Sequence, residues 1–451
     1  MPPGRVVKRL ITAVSVVGVL AIGVISFAIL WPAKSTLSNT DAGHAGSLEL
    51  AEYSTRLSDC IACHSVPNGK PFAGGLAMGS PLGTIYATNI TPDPKTGIGT
   101  YGLADFDNAV RHGIAKDGHR LYPAMPYPSY AKLSDDEIKL LYTYFSRYVA
   151  PVEQANRPSD ISWPLNMRWP LAVWNLVFAD PKTYAPKPDR DQRWNRGAYL
   201  VQGPGHCGSC HTPRGLAFQE VALNEDSPRF LSGALLDGWK ASSLRGEMDV
   251  GLGRWSETDI VAFLKDGHND YASVYGSMMD AFNNSTQYFN DDDIGAVAHY
   301  LKSLPPSNGN SANNYVYDPK TTDYLHSVER KSSGAIQYLK NCVWCHGYDG
   351  RGQGGQMAAL AGNPNVIDAD PESIINIILN GASRVVKDEA PDPYRMSSFR
   401  VLMSDADVAA VASFIRSGWG NKAPAVKEKD VSELRDKTNI TSDRVVVLKM
   451  R

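Results

Sequence analysis

Three copies of a Cys-x-x-Cys-His motif are the residues of this sequence best suited to specific chemistry. They read "CIACH", "CGSCH" and "CVWCH", and they hold all six cysteines of the chain: Cys60, Cys63, Cys207, Cys210, Cys342 and Cys345. This motif is the attachment signature of c-type haem, whose vinyl groups form thioethers with the two thiols. The histidine beside the second cysteine is then held against the iron. We therefore expect three covalent haem c groups with the proximal ligands His64, His211 and His346.

Two other roles of such motifs fit less well. A redox-active Cys-x-x-Cys pair needs no histidine and is typical of a strand–helix setting. A structural zinc site needs four ligands, whereas each motif supplies three. A chance match explains one copy but not three copies that use every cysteine.

The sixth ligand of each iron decides between electron transfer and catalysis. A methionine thioether fills that position and raises the reduction potential. Each repeat has a methionine in the loop before its last helix: Met125 in "YPAMPYPSY", Met278 or Met279 in "YGSMMDAF", and Met396 in "PYRMSSFR". Core packing is the usual role of a methionine, but the repeated position favours ligation. Position alone does not separate Met278 from Met279, and Met278 is the predicted ligand.

The elements that must position these residues repeat with the motifs. The motifs begin 147 and 135 residues apart, and each lies between a helical approach and an amphipathic segment. The methionine loop and a last helix then follow. We expect N-caps at Ser134, Asn290 and Ser404, and Ser134 with Glu137 matches a capping box.

This repetition predicts a mainly α fold, with an N-terminal transmembrane helix followed by three class-I-like cytochrome c domains. The linker is polar, the connector holds Trp163, Trp169 and Trp174, and we expect the tail to be loosely held. The predicted segments are a transmembrane anchor (1–36), cytochrome domain 1 (46–150), a tryptophan-rich connector (151–191), cytochrome domain 2 (192–305), a linker (306–329), cytochrome domain 3 (330–420) and a C-terminal tail (421–451).

The connector has two possible roles at this point. It can fill the space between haem domains. It can also form a docking face or a quinone pocket at a membrane surface, because tryptophan favours interfaces.

The N-terminal segment predicts the compartment. The run Leu10–Trp31 is 22 residues without a charge, which as a helix is long enough to cross a bilayer core of about 30 Å. Arg5, Lys8 and Arg9 precede it, so the positive-inside rule places the remaining chain outside the cytoplasm. A cleaved signal peptide is the alternative. We expect the haem domains on the periplasmic side of a bacterial inner membrane.

Composition excludes several classes of function. The 451 residues carry 45 Lys and Arg against 47 Asp and Glu, without the basic excess of a nucleic-acid-binding protein. No Walker loop, Rossmann glycine fingerprint or zinc-protease helix is present. The sequence therefore shows no independent site for substrate oxidation, which favours a non-catalytic electron-transfer subunit.

From about residue 50 to 420 the sequence resembles the triple-haem cytochrome c subunit of membrane-bound periplasmic alcohol and aldehyde dehydrogenases of acetic-acid-type bacteria. The stretches that carry the resemblance include "RLSDCIACHS", "GTIYATNITPDPKTGIGTY", "YPAMPYPSYAKLSDDEI", "ISWPLNMRWPL", "GPGHCGSCHTPRG" and "GWGN". The resemblance implies that electrons pass from a catalytic subunit to ubiquinone in the membrane. It implies iron ligation by the pairs His64 and Met125, His211 and Met278, and His346 and Met396.

The anchor and the tail depart from the alcohol dehydrogenase members. They favour the aldehyde dehydrogenase branch, whose catalytic subunit carries molybdenum and whose small subunit carries iron–sulfur clusters. The substrate and the partner's cofactor (PQQ, molybdenum or flavin) stay open. So do two other functions: a membrane-tethered cytochrome that serves a terminal oxidase, and a haem peroxidase. The peroxidase needs an open iron, which is the second one if Met278 is not its ligand.

Overall fold

The computed structural model describes residues 34–41, 46–236, 238–309, 315–353, 357–388, 390–392 and 394–440, and seven separate residues between 12 and 27. The fold is mainly helical, as predicted. In the first part of the chain the helices are α1 (Leu48–Leu57), α2 (Cys60–Cys63), α3 (Leu103–His112), α4 (Tyr127–Tyr130), α5 (Asp135–Arg147) and α6 (Pro170–Phe178).

The middle and last parts of the chain repeat this series. The middle part contains α7 (Gln192–Gln202), α8 (Gly208–His211), α9 (Glu257–Asp266), α10 (Met278–Asn284) and α11 (Asp291–Lys302). The last part contains α12 (Lys320–His326), α13 (Ser333–Asn341), α14 (Val343–His346), α15 (Pro364–Ile367), α16 (Glu372–Asn380), α17 (Asp405–Ser417) and α18 (Glu428–Lys437). Short 3-10 helices lie at Asn39–Asp41 and Thr286–Tyr288.

A pair of packed helices recurs in each part of the chain. The helix before each cysteine motif packs against the last helix of the same repeat: α1 on α5, α7 on α11, and α13 on α17. Glycine allows two of these crossings to be close. A Cβ added at Gly197 would lie 2.0 Å from the Ala296 carbonyl oxygen, and one at Gly334 would lie 2.3 Å from that of Ala410. Each repeat therefore contains the same packed pair of helices.

The last helices begin where the sequence predicts. The side chains of Ser134, Asn290 and Ser404 each accept a hydrogen bond from the backbone N–H three residues later. The capping box predicted for Ser134 was wrong, because the Glu137 carboxylate accepts a hydrogen bond from Ser54 Oγ at 2.5 Å instead. Glu137 thus joins α5 to α1, which the local pattern could not show.

Three two-stranded antiparallel hairpins were not predicted. They pair β1 (Ala77–Ser80) with β2 (Gly83–Tyr86), β3 (Ala234–Leu236) with β4 (Trp239–Ala241), and β5 (Val386–Lys387) with β6 (Ala390–Pro391). Strands of two to four residues are too short for a recognisable alternation of side chains. The first two hairpins follow the first and second cysteine motifs.

Buried apolar side chains form one large cluster in each third of the chain. The first lies around Phe72, Leu103 and Tyr144, and the second around Trp194, Ile260 and Tyr300. The third includes Tyr338, Ile375, Val411 and Trp419. The precise domain boundaries stay a prediction.

The C-terminal segment differs from the expected loose tail. Helix α18 packs against α16 and α17, and Val431 and Leu434 are buried in the third cluster. Arg435 Nε lies 2.6 Å from the Asp405 carboxylate. The two apolar residues of this mostly charged segment thus attach the helix to the third core. Residues 441–451 of the tail lie outside the described part.

The N-terminal transmembrane helix in the predicted fold class was wrong for the part of the chain that the structure describes. Among the described residues, no helix has both the length and the apolar character needed to cross a membrane. Most of the run Leu10–Trp31 on which that prediction rested lies outside the described residues. Absence of charge in a sequence permits such a helix but does not establish one.

Candidate haem-binding sites

The first cysteine motif lines a mostly apolar cavity together with its predicted methionine ligand. Cys60, Cys63 and His64 reach this cavity from α2, and Met125 reaches it from the loop before α4. Apolar side chains complete much of the wall: Ile85, Ile90, Ile98, Phe106, Val110, Leu141 and Phe145. The structure therefore brings together all four predicted residues of the first site. Met78 also lines this cavity.

Each motif histidine is oriented in the same way. The Nδ1 atom of His64 lies 2.7 Å from the Thr88 carbonyl oxygen, that of His211 lies 2.7 Å from the Ser242 oxygen, and that of His346 lies 2.9 Å from the Ala358 oxygen. A carbonyl oxygen only accepts, so Nδ1 carries the proton. Nε2 is then the unprotonated nitrogen that can bind a metal.

Hairpins position two of these three carbonyl groups. Thr88 follows β2 by two residues, and Ser242 follows β4 directly. In the third repeat the carbonyl belongs to Ala358, which follows the glycine-rich stretch after the motif. Sequence analysis missed these partners because a backbone carbonyl leaves no residue signature.

Burial disfavours the charged form of the three imidazoles. It lowers the pKa of His64, His211 and His346, because a desolvated imidazolium is disfavoured, and the carbonyl hydrogen bond offsets only part of this shift. A neutral imidazole is the form that ligates iron.

The thiols of the motifs do not have the properties of a redox pair. No disulfide joins any two of the six cysteines. Burial raises the pKa of Cys60, Cys207 and Cys342 to about 12. A redox-active thiol has a lowered pKa instead. The structure thus agrees with cysteines that serve as attachment points.

Polar atoms in the first cavity fit a haem. Ser58 Oγ, one Asp59 carboxyl oxygen and the Tyr122 hydroxyl are buried and lack a hydrogen-bond partner among the described residues. Arg168 also faces this cavity. Buried polar atoms without partners are costly, and the two propionates of a haem would supply acceptors for the two hydroxyl groups. The residues present therefore fit the group that the motif predicts.

Arg168 is a site residue that the motif search did not identify. Its guanidinium lies 3.5 Å from the centre of the Tyr122 ring, and it donates a 3.0 Å hydrogen bond to the Arg120 carbonyl oxygen. No carboxylate pairs with it in the described part of the chain, and burial lowers its pKa. It comes from the connector, so this segment contributes to the first site. The only sign of this residue in the sequence was an arginine within the tryptophan-rich connector, in "NMRWP".

For the other two predicted methionine ligands, the structure shows packing against apolar clusters. Met278 is half-buried against a small apolar cluster that includes Val274, Phe282 and the fully packed Met279. Met396 packs against the third core cluster. Ligation by Met278 and Met396 stays a prediction.

Comparison with known proteins identifies the family. A family model for cytochrome c matches residues 332–419. The cytochrome c subunit of a quinone alcohol dehydrogenase from Gluconacetobacter polyoxogenes is 49% identical over 409 residues, which cover 90% of this chain and 87% of that subunit. The gluconate 2-dehydrogenase cytochrome c subunit of Pantoea cypripedii is 47% identical, with 92% of this chain and 94% of that subunit covered.

The chain belongs to the family of dehydrogenase cytochrome c subunits.

A more distant member is the fructose dehydrogenase cytochrome subunit of Gluconobacter japonicus, 33% identical over 89% of this chain and 85% of that subunit. Membership confirms the resemblance seen in the sequence. This cytochrome c subunit binds covalent haem c and transfers electrons from a dehydrogenase catalytic subunit.

Proposed function

We propose that this cytochrome c subunit carries three covalent haem c groups and conducts electrons from its dehydrogenase catalytic subunit to ubiquinone. Bound haem iron supplies one-electron transfer by alternating between its ferric and ferrous states. The proposed ligand pairs are His64 and Met125, His211 and Met278, and His346 and Met396. Cys60, Cys63, Cys207, Cys210, Cys342 and Cys345 attach the three groups.

One observation carries the proposal of three groups. All three motif histidines have Nδ1 fixed by a backbone carbonyl at 2.7–2.9 Å, although the residues that provide the carbonyl differ. Such a hydrogen bond sets the ring orientation and tautomer of a metal-ligating histidine. Recurrence at every motif supports three equivalent iron sites.

Contacts between the sites support conduction along one chain of groups. Tyr130 lines the first cavity, and its ring centre lies 5.5 Å from that of His206, which precedes Cys207. At the other side, the Ser242 hydroxyl donates a 2.9 Å hydrogen bond to Asn365 Oδ1 in the last part of the chain. Since the Ser242 carbonyl also accepts the hydrogen bond of His211, the second site contacts both neighbouring repeats.

Ubiquinone and the compartment belong to the proposal as well. The names of the quinone alcohol dehydrogenase relatives support a quinone acceptor. Covalent haem attachment suits the periplasmic side of a bacterial inner membrane. For the oxidised substrate, alcohol and gluconate are favoured almost equally by relatives of 49% and 47% identity. An iron–sulfur subunit would accompany the aldehyde-type alternative.

The haem number is tested on the purified full-length protein. Pyridine haemochrome absorbance per chain should give three haems, and mass spectrometry of proteolytic peptides should find one haem on each motif peptide. Replacing both cysteines of one motif by alanine should remove one haem and leave the other two. Two haems in the unaltered chain would contradict the proposal.

The electron donor and acceptor are tested on the native complex. A C-terminal tag and mild detergent should co-purify a large dehydrogenase subunit in near-equal amount, which mass spectrometry identifies together with its substrate class. The complex should reduce a ubiquinone analogue when that substrate is added. A cytochrome that purifies alone and reduces a terminal oxidase would contradict this assignment.

A further inference from the structure

Arg168 of the connector lies in the wall of the first haem cavity with most of its hydrogen-bond donors unused. A guanidinium group has five N–H donors and no acceptor. Arg168 Nη1 donates one hydrogen bond, at 3.0 Å, to the Arg120 carbonyl oxygen. No other hydrogen bond or ion pair of this guanidinium occurs in the described part of the chain. The remaining donors are therefore available to a bound group.

The Tyr122 hydroxyl is a second unused donor beside this guanidinium. Arg168 Cζ lies 3.5 Å from the centre of the Tyr122 ring, so the two side chains are in contact. The hydroxyl group is buried and has no hydrogen-bond partner among the described residues. Both side chains line the first haem cavity. Two adjacent residues of one cavity thus have free donors.

The charge of Arg168 requires an anion. Burial lowers the pKa of this guanidinium, because its charged form loses water, and no carboxylate of the described residues offsets the effect. A cation that leaves water is stabilised by an anion with matching acceptors. Carboxylates match a guanidinium well, because two parallel N–H donors fit their two oxygens. A haem brings two carboxylates, its propionates, into the cavity that binds it.

We propose that Arg168 and Tyr122 bind one propionate of the haem in the first cavity. The guanidinium donates N–H groups to the two carboxylate oxygens, and the Tyr122 hydroxyl donates to one of them. The proposal rests on the haem proposed at the first motif. It goes beyond that function because it makes the connector, which contains neither cysteine motif nor iron ligand, a part of the first site.

Helix α6 fixes the position of Arg168, which lies two residues before this helix begins. Asn175 Oδ1 accepts a 2.6 Å hydrogen bond from the Tyr127 hydroxyl, in the segment that follows Met125. Trp174 Nε1 donates a 2.8 Å hydrogen bond to the Ala217 carbonyl oxygen of the second repeat. The connector is therefore bound to both repeats, which holds Arg168 against the first cavity.

Potentiometric titration of the purified full-length, haem-loaded protein tests the proposal. The component of the first haem is the one that disappears when Cys60 and Cys63 are both replaced by alanine. Arg168→Gln should lower the midpoint potential of this component, because a propionate charge without a cation stabilises the ferric state. The other two components should not change. An unchanged potential in a variant that has bound the first haem would overturn the proposal.

Arg157→Gln is the matched control. Arg157 also belongs to the connector, and its Cζ lies 4.0 Å from the centre of the Tyr86 ring, which lines the same cavity. Arg157 itself is exposed and lies outside the described lining of the cavity. This variant should therefore keep the potential of the first haem. Equal decreases in the two variants would show a general effect of connector charge and would overturn the proposal.

Two further variants separate pairing with the propionate from a loss of structure. Arg168→Lys keeps the cation and should restore most of the potential that Arg168→Gln loses. Tyr122→Phe keeps the ring beside Arg168 but removes the hydroxyl, so it should lower the potential by a smaller amount and shift the propionate bands of one haem in resonance Raman spectra. If Arg168→Gln does not retain the first haem, unchanged potential and bands in Tyr122→Phe would overturn the proposal.

A free anion is the other possible partner, because Arg168 also lines a second cavity together with Lys34, Lys116 and Arg120. The titration is therefore repeated with inorganic phosphate at constant ionic strength. A bound propionate predicts a first-haem potential that does not depend on phosphate. A potential that depends on phosphate in the unaltered protein, but not in Arg168→Gln, would overturn the proposal in favour of a free anion.

Mass spectrometry of the peptide that contains Cys60 and Cys63 separates this proposal from the proposed function. A peptide without haem would refute the haem at the first motif and the propionate contact with it. A loaded haem whose potential does not respond to Arg168 would refute the propionate contact alone.

Discussion

At the scale of single residues, the three motif histidines are held alike while their surroundings differ. Each donates its Nδ1 proton to a carbonyl group, which leaves Nε2 unprotonated and able to bind a metal. The methionine side is less uniform, because Met125 faces the first cavity whereas Met278 adjoins the packed Met279. Single substitutions can therefore separate ligands from core residues.

Met278→Ala should open the sixth position of the second iron. A methionine ligand keeps small molecules away from the iron, so this variant should bind carbon monoxide at one haem and show a high-spin fraction in its absorption spectrum. Met279→Leu is the control, because a similar volume is kept in the apolar cluster. Carbon monoxide binding by the Met279 variant alone would assign the ligand to Met279.

His206 should make the protein sensitive to acid. Burial lowers its pKa to about 4, so the folded state resists protonation of this imidazole. Below the unfolded-state pKa of about 6.5 the unfolded chain binds the proton first, and stability falls as the pH decreases from about 6.5 to about 4. His206→Asn should remove this contribution, up to about 3 kcal/mol at pH 4. The measurement is urea unfolding of both proteins at pH 7 and pH 4. An equal loss in the free energy of unfolding of the unaltered protein and of the variant would contradict the prediction.

At the scale of elements, the crossing of two helices in the second and in the third repeat depends on the absence of a side chain. Gly334 in α13 lies against the backbone of Ala410 in α17, and Gly197 in α7 lies against Ala296 in α11. Close crossings of this kind hold the helix before the motif against the last helix. Cys342, which directly follows α13, and Cys207, which lies a short loop after α7, are placed accordingly.

Gly334→Ala should destabilise the last part of the chain by about 1–3 kcal/mol, because its methyl group overlaps the Ala410 carbonyl oxygen. Gly295→Ala in α11 is the matched control. Its methyl group would first meet the flexible end of Arg193 at 3.2 Å, and alanine favours a helix by about 0.5–1 kcal/mol over glycine. Thermal unfolding monitored by circular dichroism should show opposite shifts. A Gly334 variant as stable as the unaltered protein would show that the two helices can separate without loss.

At the scale of the whole molecule, polar contacts join the repeats. Asp293 of α11 is bound by Arg196 at 2.7 and 2.8 Å and accepts a 2.6 Å hydrogen bond from the Tyr53 hydroxyl of α1. Arg56 Nη1 donates to the Asn284 carbonyl oxygen at 3.2 Å. These contacts fix the first repeat against the second, and hence their two cysteine motifs.

Asp293→Ala should cost about 2–3 kcal/mol, because hydrogen bonds to a buried charged group are the stronger class and Arg196 loses its partner. Tyr53→Phe removes only the contact between the repeats and should cost about 1 kcal/mol. Differential scanning calorimetry should show a lower midpoint for both, with the larger decrease for Asp293→Ala. The reverse order would indicate that Arg196 contributes little.

The sequence by itself determined the local chemistry. The Cys-x-x-Cys-His motifs and the last-helix caps are each encoded within a few residues, so spacing and residue type were sufficient to predict them. The family followed from stretches such as "RLSDCIACHS", because these are contiguous in the chain.

Only the tertiary structure decided what lies far apart in sequence. The carbonyl partners of the histidines are backbone groups 12–31 residues away, and Arg168 reaches the first cavity from the connector. Helix α18 joins the third core through Val431 and Leu434, although its segment is mostly charged. Such contacts depend on how the elements pack, which no local pattern of side chains encodes.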